Sequence, residues 1–258
     1  MALFDSAAKT YDEEFSQSKI GKLQRKLVYH YFKKSVLKGG LNILELNCGT
    51  GIDAQWMAKF GNKVIATDIS PEMVSIAKNK NTDRKIRFDV LDFTDFNNSI
   101  FTDDKYDIVF SNFGGLNCVD DFSLKSFSQT ISRCLKPNGK FVSVIMSENC
   151  WIEKFYFFLK GKNEDLSRRK KKPLMVNVNG RAVSTWYFTP NNYQNLFNEQ
   201  FRVSKILPVG FLVPPSYMSK GLKPIESLLQ LNYNLEILFA HAETAAIADH
   251  FYIEMIKN

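Results

Sequence analysis

The segment from Ile43 to Asp68 constrains the fold of this chain more than any other part of the sequence. Residues 43–46 are apolar apart from Glu45 and have a strand preference, and the glycine-rich turn 47–51 follows them. Apolar residues then recur at helical spacing over 52–60, and the run 64–68 again has strand composition. The pattern predicts a strand, a tight turn, a helix and a second strand, the order of an α/β fold.

Asp68, at the end of the second strand, is the kind of carboxylate that accepts two hydrogen bonds from a ribose diol. Residues 49–54 also fit the dinucleotide pattern G-x-G-x-x-G/A, which is a weak signal by itself. A pyrophosphate on this helix N-terminus would lie near Glu45 and Asp53, and like charges about 5 Å apart repel by roughly 3 kcal/mol. S-adenosylmethionine carries cations and no phosphate. We therefore expect S-adenosylmethionine as cofactor, with an NAD-dependent dehydrogenase as the alternative.

Residues 45–51, Glu-Leu-Asn-Cys-Gly-Thr-Gly, resemble the E/D-x-G-x-G-x-G loop of class I S-adenosylmethionine-dependent methyltransferases. Segments 90–93, 106–112 and 135–141 resemble later parts of that family in the same order, so the resemblance covers about residues 41 to 146. Asn47 stands where the family usually has its first glycine, and asparagine tolerates positive φ best among the other residues. The resemblance implies an α/β, Rossmann-like seven-stranded methyltransferase sheet with helices on both faces and a substrate-capping insertion.

The resemblance also assigns candidate cofactor residues. Asp68 matches the ribose acid, and Asp92 matches the acid that faces the adenine amino group. The beginning, 7–12 and 23–25, is similar to small-molecule methyltransferases of quinone and biotin biosynthesis, which implies that Tyr11 and Arg25 help to close the site. The full candidate set is Tyr11, Gln24, Arg25, Glu45, Asn47, Gly49, Gly51, Asp68, Ile69, Met73, Asp92, Phe93 and Asn112.

The length of 258 residues suits one α/β domain with a large core, so we expect a single domain over 1–258. The start of the chain lacks a secretory pattern, and no apolar run is long enough to span a bilayer, so we expect a soluble cytoplasmic protein. The four cysteines show no C-x-x-C spacing and no neighbouring histidines. Neither a metal site nor a disulfide framework is indicated.

Residues 1–38 are predicted to form a cofactor-covering segment with one helix. Its apolar stripe consists of Ile20, Leu23, Leu27, Val28, Tyr31 and Phe32. Gln24 falls inside that stripe. It is either a satisfied core amide or, together with Arg25, a donor to the cofactor carboxylate.

Two stretches, 147–188 and 208–247, lie outside the minimal fold and are predicted to form substrate-lid insertions. The first is aromatic at 151 and 155–158, and the second has an apolar helical pattern from Ile225 to Phe239. This aromatic density favours a largely apolar or aromatic substrate, although packing of the insertions against each other explains it as well. Strands at 201–207 and 251–256 are expected to complete the sheet.

The basic run 168–172 accounts for most of the excess positive charge in a chain of net charge +7. It predicts a solvated loop or a surface for an acidic carrier protein, a phosphopantetheine arm or an anionic lipid. Residues 111–115 lack the two prolines with which base-specific methyltransferases hold a flipped base, so nucleic acid is disfavoured.

The expected reaction is direct displacement on the sulfonium methyl by a small hydrophobic or aromatic metabolite, aligned by the protein. Alternatives are methylation of a carrier-bound acyl group or lipid, and a non-catalytic cofactor-binding regulator. A general base is optional, and the candidates are His241, Tyr187 and Glu148. The sequence does not determine the acceptor atom or the oligomeric state.

Overall fold

The computed structural model describes residues 4–95, 97–178, 180–220 and 226–258. The first part of the chain forms α1 (Lys19–Val36), β1 (Asn42–Leu46), α2 (Ile52–Ala58), β2 (Lys63–Asp68), α3 (Pro71–Lys80), β3 (Ile86–Val90), β4 (Tyr106–Ser111), α4 (Asp121–Cys134) and β5 (Leu135–Met146). The second part forms α5 (Trp151–Leu159), β6 (Leu174–Val178), β7 (Arg181–Thr185), α6 (Pro190–Asn195), β8 (Phe201–Val209), α7 (Glu226–Leu238), α8 (Ala242–Ala245) and β9 (His250–Lys257).

A seven-stranded sheet with the order β3-β2-β1-β4-β5-β9-β8 organises the molecule. The first five of these strands are parallel, and β9 runs antiparallel to both β5 and β8. The strand order reverses between β1 and β4. In sheets of this kind ligands bind at that reversal, beyond the carboxyl ends of the strands. The turn after β1 and the segment after β4 therefore meet at one crevice.

The central strands are buried on both faces, with successive residues in two different cores. Ile43 packs into the core formed with α1, α2 and α3, whereas Leu44 packs into the core that contains Leu124 and Phe127 of α4. In a sequence, strands buried on both faces are nearly continuous apolar runs. Residues 43–46 could therefore be identified as a strand from the sequence. The predicted sheet with helices on both faces is confirmed.

Side-chain hydrogen bonds cap the first turns of three helices. Ser18 caps α1, Ser70 accepts from the Met73 amide at 3.2 Å to cap α3, and Thr189 caps α6. The stripe of α1 is buried, as expected. Two strands are longer than predicted, since β8 continues to Val209 and β9 begins at His250. Pro208 is tolerated in β8 because β8 is an edge strand.

The hairpin of β6 and β7 was missed. The sequence signal that could have found it is the pair Asn179-Gly180, which favours a two-residue hairpin turn. Parts of the predicted segments, namely residues 1–3, 179 and 221–225, lie outside the described residues. Within the described part of the chain, none of the helices has both the length and the apolar character that crossing a membrane requires.

Candidate functional site

The turn after β1 holds three alternate residues in the left-handed region: Asn47 at φ 48°, Gly49 at φ 53° and Gly51 at φ 80°. Asn47 also bonds across the crevice, since its Nδ2 donates to the Asn112 carbonyl at 2.8 Å and its Oδ1 accepts from Ser111 at 2.6 Å. A side chain on Gly115 would collide with this amide. The Asn47 side chain thus fits where the family usually has a glycine. Its hydrogen bonds connect the end of β1 to the end of β4.

Gly51 is required by packing as well as by φ. A Cβ atom at this position would lie 2.8 Å from the Phe88 ring and 3.1 Å from the Ala77 side chain. The absence of a side chain lets α2 start close against β3 and α3.

Asp68 is 8% exposed and braces the turn. Its Oδ2 accepts from the Gly49 amide and its Oδ1 from the Ser70 amide, both at 2.9 Å. Burial raises the pKa of Asp68, and the bonds from Ser70 and Gly49 oppose that rise. Each oxygen keeps a further lone pair for a ligand hydroxyl.

A narrow pocket lies at the crevice. Its lining brings together the predicted residues Tyr11, Arg25, Asn47, Gly49 and Asn112. Residues that the sequence did not assign to a cofactor complete it: Ser16, Cys48, Thr50, Ile52, Asp53 and Phe113. Its volume of about 20 Å³ leaves room for about one water molecule.

Asp53 does not stand as a free negative charge. It forms an ion pair with Arg25 and accepts from the Tyr29 hydroxyl at 2.6 Å and from the Asn112 amide at 2.9 Å. The expected repulsion between Asp53 and a phosphate is therefore offset by Arg25. The buried carboxyl groups that would still oppose a pyrophosphate are those of Glu45 and Asp68.

Comparison with known proteins decides the family. Residues 43–139 match the family model described as "Methyltransferase domain". The chain is 39% identical over 112 residues to malonyl-[acyl-carrier protein] O-methyltransferase 1 of Ilyobacter polytropus, which covers 42% of this chain and 38% of that protein. It is 30% identical over 142 residues to demethylmenaquinone methyltransferase of Clavibacter sepedonicus, which covers 55% of each.

Residues 43–139 form a class I S-adenosylmethionine-dependent methyltransferase domain. A putative S-adenosylmethionine-dependent methyltransferase from Listeria monocytogenes has the same fold, with a TM-score of 0.60 and 17% identity over 89% of this chain and 97% of that one. The chain spans about two fifths to just over half the length of the two curated relatives. The substrates of these two relatives are therefore not assigned to this chain.

Unpartnered buried polar atoms in the pocket lining, and on Glu45 at the end of β1 beside it, suit the methionine part of S-adenosylmethionine. Four buried polar atoms here have no hydrogen-bond partner among the described residues. Two are acceptors, Glu45 Oε2 and Asn112 Oδ1, and the other two are Arg25 Nε and Ser16 Oγ. Burial and the nearby Asp53 and Asp68 carboxylates raise the pKa of Glu45. We infer that the acceptors face the ammonium group and that Arg25 faces the carboxylate.

The predicted adenine-side residues lie at the ends of β2 and β3. The Leu91 amide donates to the Asp68 carbonyl at 2.9 Å, which holds these two ends together. Met73 is buried, Ile69 is 44% exposed and Phe93 packs on Phe127. Asp92 is exposed, and its Oδ1 accepts from the amide and the hydroxyl of Thr94. Their contact with adenine stays a prediction.

Gln24 is a core amide whose hydrogen bonds are satisfied, the first of the two predicted alternatives. It is 3% exposed, and its amide donates to Asp249 Oδ2 at 3.1 Å and to the Pro214 carbonyl at 3.2 Å. It does not line the pocket. Both amide hydrogens are used in fixing α1 to the second insertion, so the assignment of Gln24 to the cofactor is withdrawn.

The start of the chain covers the pocket. Tyr11 lies against Gly49, Thr50 donates to Asp12 at 2.6 Å, and Ser70 donates to Asp5 at 2.5 Å. Asp12 also forms an ion pair with Lys80. Because the covered pocket is too small for a nucleoside, this segment must open to admit the cofactor.

Binding of S-adenosylhomocysteine is therefore expected to slow amide hydrogen exchange over residues 4–30 as well as over 45–92. Asp12→Asn, which weakens the bonds to Thr50 and Lys80, should speed exchange over 4–18 in the free protein. Glu13→Gln changes an exposed neighbour and serves as the matched control. Equal exchange of 4–30 with and without the ligand would show that this segment is core packing only.

Two of the three predicted proton acceptors, Glu148 and Tyr187, lie on neighbouring segments, because the Glu148 amide donates to the Phe188 carbonyl at 3.0 Å. His241 caps α8, has a half-exposed side chain and lies 2.8 Å from Glu243. Tyr187 is buried beneath the Arg169 guanidinium at 5.0 Å, and Glu148 follows β5 with a half-buried side chain. His250 lies nearer the pocket, because its ring packs edge-on against Phe113 at 5.4 Å.

The basic run 168–172 is only partly a solvated loop. Arg168 bonds to both carboxylate oxygens of Glu153 at 2.9 Å, and Arg169 pairs with Glu153 and Asp249 at 2.7 Å each. Arg169 is 5% exposed. Both arginines are therefore internal structural cations, and the exposed charge of the run comes from its three lysines.

Proposed function

We propose that this protein transfers a methyl group from S-adenosylmethionine to a small, apolar or aromatic acceptor by direct displacement. The cofactor supplies a methyl group that its sulfonium already activates. The chain's own residues bind the two reactants, orient them and exclude water.

Phe113 is the observation that carries the proposal. It lines the pocket at φ 45°, a conformation that is strained for a bulky residue and is concentrated at ligand sites. Its ring lies 5.3 Å from the Arg25 guanidinium and 5.4 Å from the His250 ring. It thus forms an aromatic wall between the cofactor pocket and the ends of β5 and β9, where we place the acceptor.

We propose His250, rather than His241, as the group that accepts a proton from the acceptor. The His250 side chain is 12% exposed, and its Nδ1 lies 3.1 Å from Asp249 Oδ2. Asp249 is itself held by Arg169 and Gln24. With Nδ1 turned towards this carboxylate, Nε2 is the nitrogen left to take the proton.

Calorimetric titration is expected to show heat with S-adenosylmethionine and S-adenosylhomocysteine and none with NAD. A panel of phenols, arylamines and acyl carrier thioesters, assayed by release of S-adenosylhomocysteine, then identifies the acceptor class. Turnover on phenols or arylamines supports the proposal. Binding of NAD alone would overturn it, and turnover on the thioesters alone would assign the carrier-bound acyl group instead.

A matched pair of variants tests the acceptor side in the same assay. His250→Gln should lower turnover of acceptors that must lose a proton and flatten the pH profile, with S-adenosylhomocysteine affinity kept. His241→Gln should change neither. Equal turnover of the two variants would remove His250 from the mechanism.

A further inference from the structure

Helix α5 buries a carboxylate and leaves large apolar side chains exposed. Glu153 is 3% exposed, whereas the apolar residues Ile152, Tyr156 and Phe157 are only half-buried. The outward stripe of the helix is apolar and consists of Trp151, Phe155, Phe158 and Leu159, which are 39%, 54%, 63% and 67% exposed. Amphipathic helices bury their apolar face and expose their charges. The described residues leave most of the outward stripe of α5 exposed to solvent, although its composition favours apolar surroundings.

The orientation of α5 is fixed by strong bonds. Glu153 accepts from Arg168 at 2.9 Å and from Arg169 at 2.7 Å, and the Tyr217 hydroxyl also donates to it. The Trp151 indole donates to the Phe211 carbonyl at 2.6 Å. Rotating α5 to hide the stripe would break these buried bonds and leave charges unpaired. The apolar stripe is thus held outward in the folded protein.

The surroundings of the stripe are basic. The exposed lysines of this region are Lys160 and Lys162 after α5, and Lys170, Lys171 and Lys172 in the loop that the two arginines tie to Glu153. Between 151 and 172 the exposed acid is Glu164, and Asp121 of α4 lies 3.9 Å from Lys172. Two copies of the chain meeting on this face would bring lysines against lysines, which opposes self-association.

We propose that the surface formed by the α5 stripe and these five lysines, the α5 surface, binds an anionic lipid bilayer. Tryptophan, phenylalanine and leucine enter the interfacial region, and lysines beside them bind acidic headgroups. The surface lies at the carboxyl edge of the sheet, since α5 follows β5, so the bilayer would face the side where the acceptor is placed. Bilayer binding does not require methyl transfer, so it can be tested separately from the proposed function.

The test is sedimentation of the purified protein with vesicles of phosphatidylcholine, with and without phosphatidylglycerol. Binding is expected only to the phosphatidylglycerol vesicles, with weakening at high salt and a blue shift of tryptophan fluorescence. The double change Phe155→Ser and Phe158→Ser should lower the partition coefficient at least about tenfold. Its thermal midpoint should stay unchanged because both side chains are exposed.

The matched control is Leu37→Ser with Val203→Ser, two exposed apolar residues near the amino edge of the sheet, and it should bind as the parent does. Equal loss in both double variants would overturn the proposal. Absence of vesicle binding would also overturn it. So would self-association that disappears in the Phe155 and Phe158 variant, because a second copy would then occupy the stripe.

Discussion

Arg169→Gln is expected to lower the free energy of unfolding by about 3 to 5 kcal/mol, the usual loss when one partner of a buried ion pair is removed. The Arg169 guanidinium donates to both Glu153 and Asp249 and to the carbonyl oxygens of Ser147 and Asp249. Without it, the buried carboxylates of Glu153 and Asp249 each lose one cationic partner. Denaturant unfolding at neutral pH measures the difference.

Lys170→Gln removes the same charge from the next residue and is the matched control. Lys170 is exposed, so its change should alter the free energy of unfolding by no more than about 0.5 kcal/mol. Similar losses in the two variants would show that the buried ion pairs do not hold the insertion in place.

The effect of Arg169→Gln should also depend on pH. Burial by itself raises the pKa of Asp249 and of Glu153. The nearby His250 and Arg169 nevertheless hold the pKa of Asp249 below its ordinary range. Arg168 and Arg169 do the same for the pKa of Glu153. A lowered carboxyl pKa stabilises the fold above the unfolded pKa and loses that effect as pH falls. The difference between parent and variant should therefore shrink from about pH 5 to about pH 3. A constant difference across that interval would contradict the assignment.

Asp68→Ala is expected to weaken binding of S-adenosylhomocysteine by about 1.5 to 3 kcal/mol, the worth of hydrogen bonds to a charged group. Asp68 also contributes to the stability of the free protein, because it accepts hydrogen bonds from the amides of Gly49 and Ser70. The free variant should therefore also lose about 1 to 3 kcal/mol of stability. Calorimetric titration and thermal unfolding without ligand measure the two effects.

Glu72→Ala, which removes an exposed carboxylate from the nearby first turn of α3, should leave both quantities nearly unchanged. An unaltered dissociation constant in a folded Asp68→Ala protein would place the ribose elsewhere. Loss of binding in Glu72→Ala as well would point to general charge rather than to a specific acceptor.

Local sequence signals were enough for the central sheet. The apolar run 43–46, the glycines at 49 and 51 and Asp68 lie within one strand-turn-helix-strand unit, so their meaning depends on near neighbours. The caps Ser70 and Thr189 are equally local. The cofactor crevice and its main residues could therefore be predicted before any tertiary contact was known.

Assignments that depend on distant partners could not be predicted in this way. Gln24 bonds to Asp249, 225 residues away, and so belongs to the core rather than to the cofactor. Glu236 has an ordinary helical sequence context, yet it is fully buried and accepts the four successive amides of 210–213 at 2.5 to 3.0 Å.

The sequence by itself determined the strand-turn-helix core, the acids beside it and the family, because hydrophobic period, glycine conformation and charge are properties of short segments. Only the tertiary structure decided which charges are neutralised. Arg25 pairs with Asp53, and Arg168 and Arg169 turn inward to Glu153, leaving the aromatic stripe of α5 outside. The physical reason is that a charge is either solvated or paired according to what folds against it, and those partners are far away in the chain.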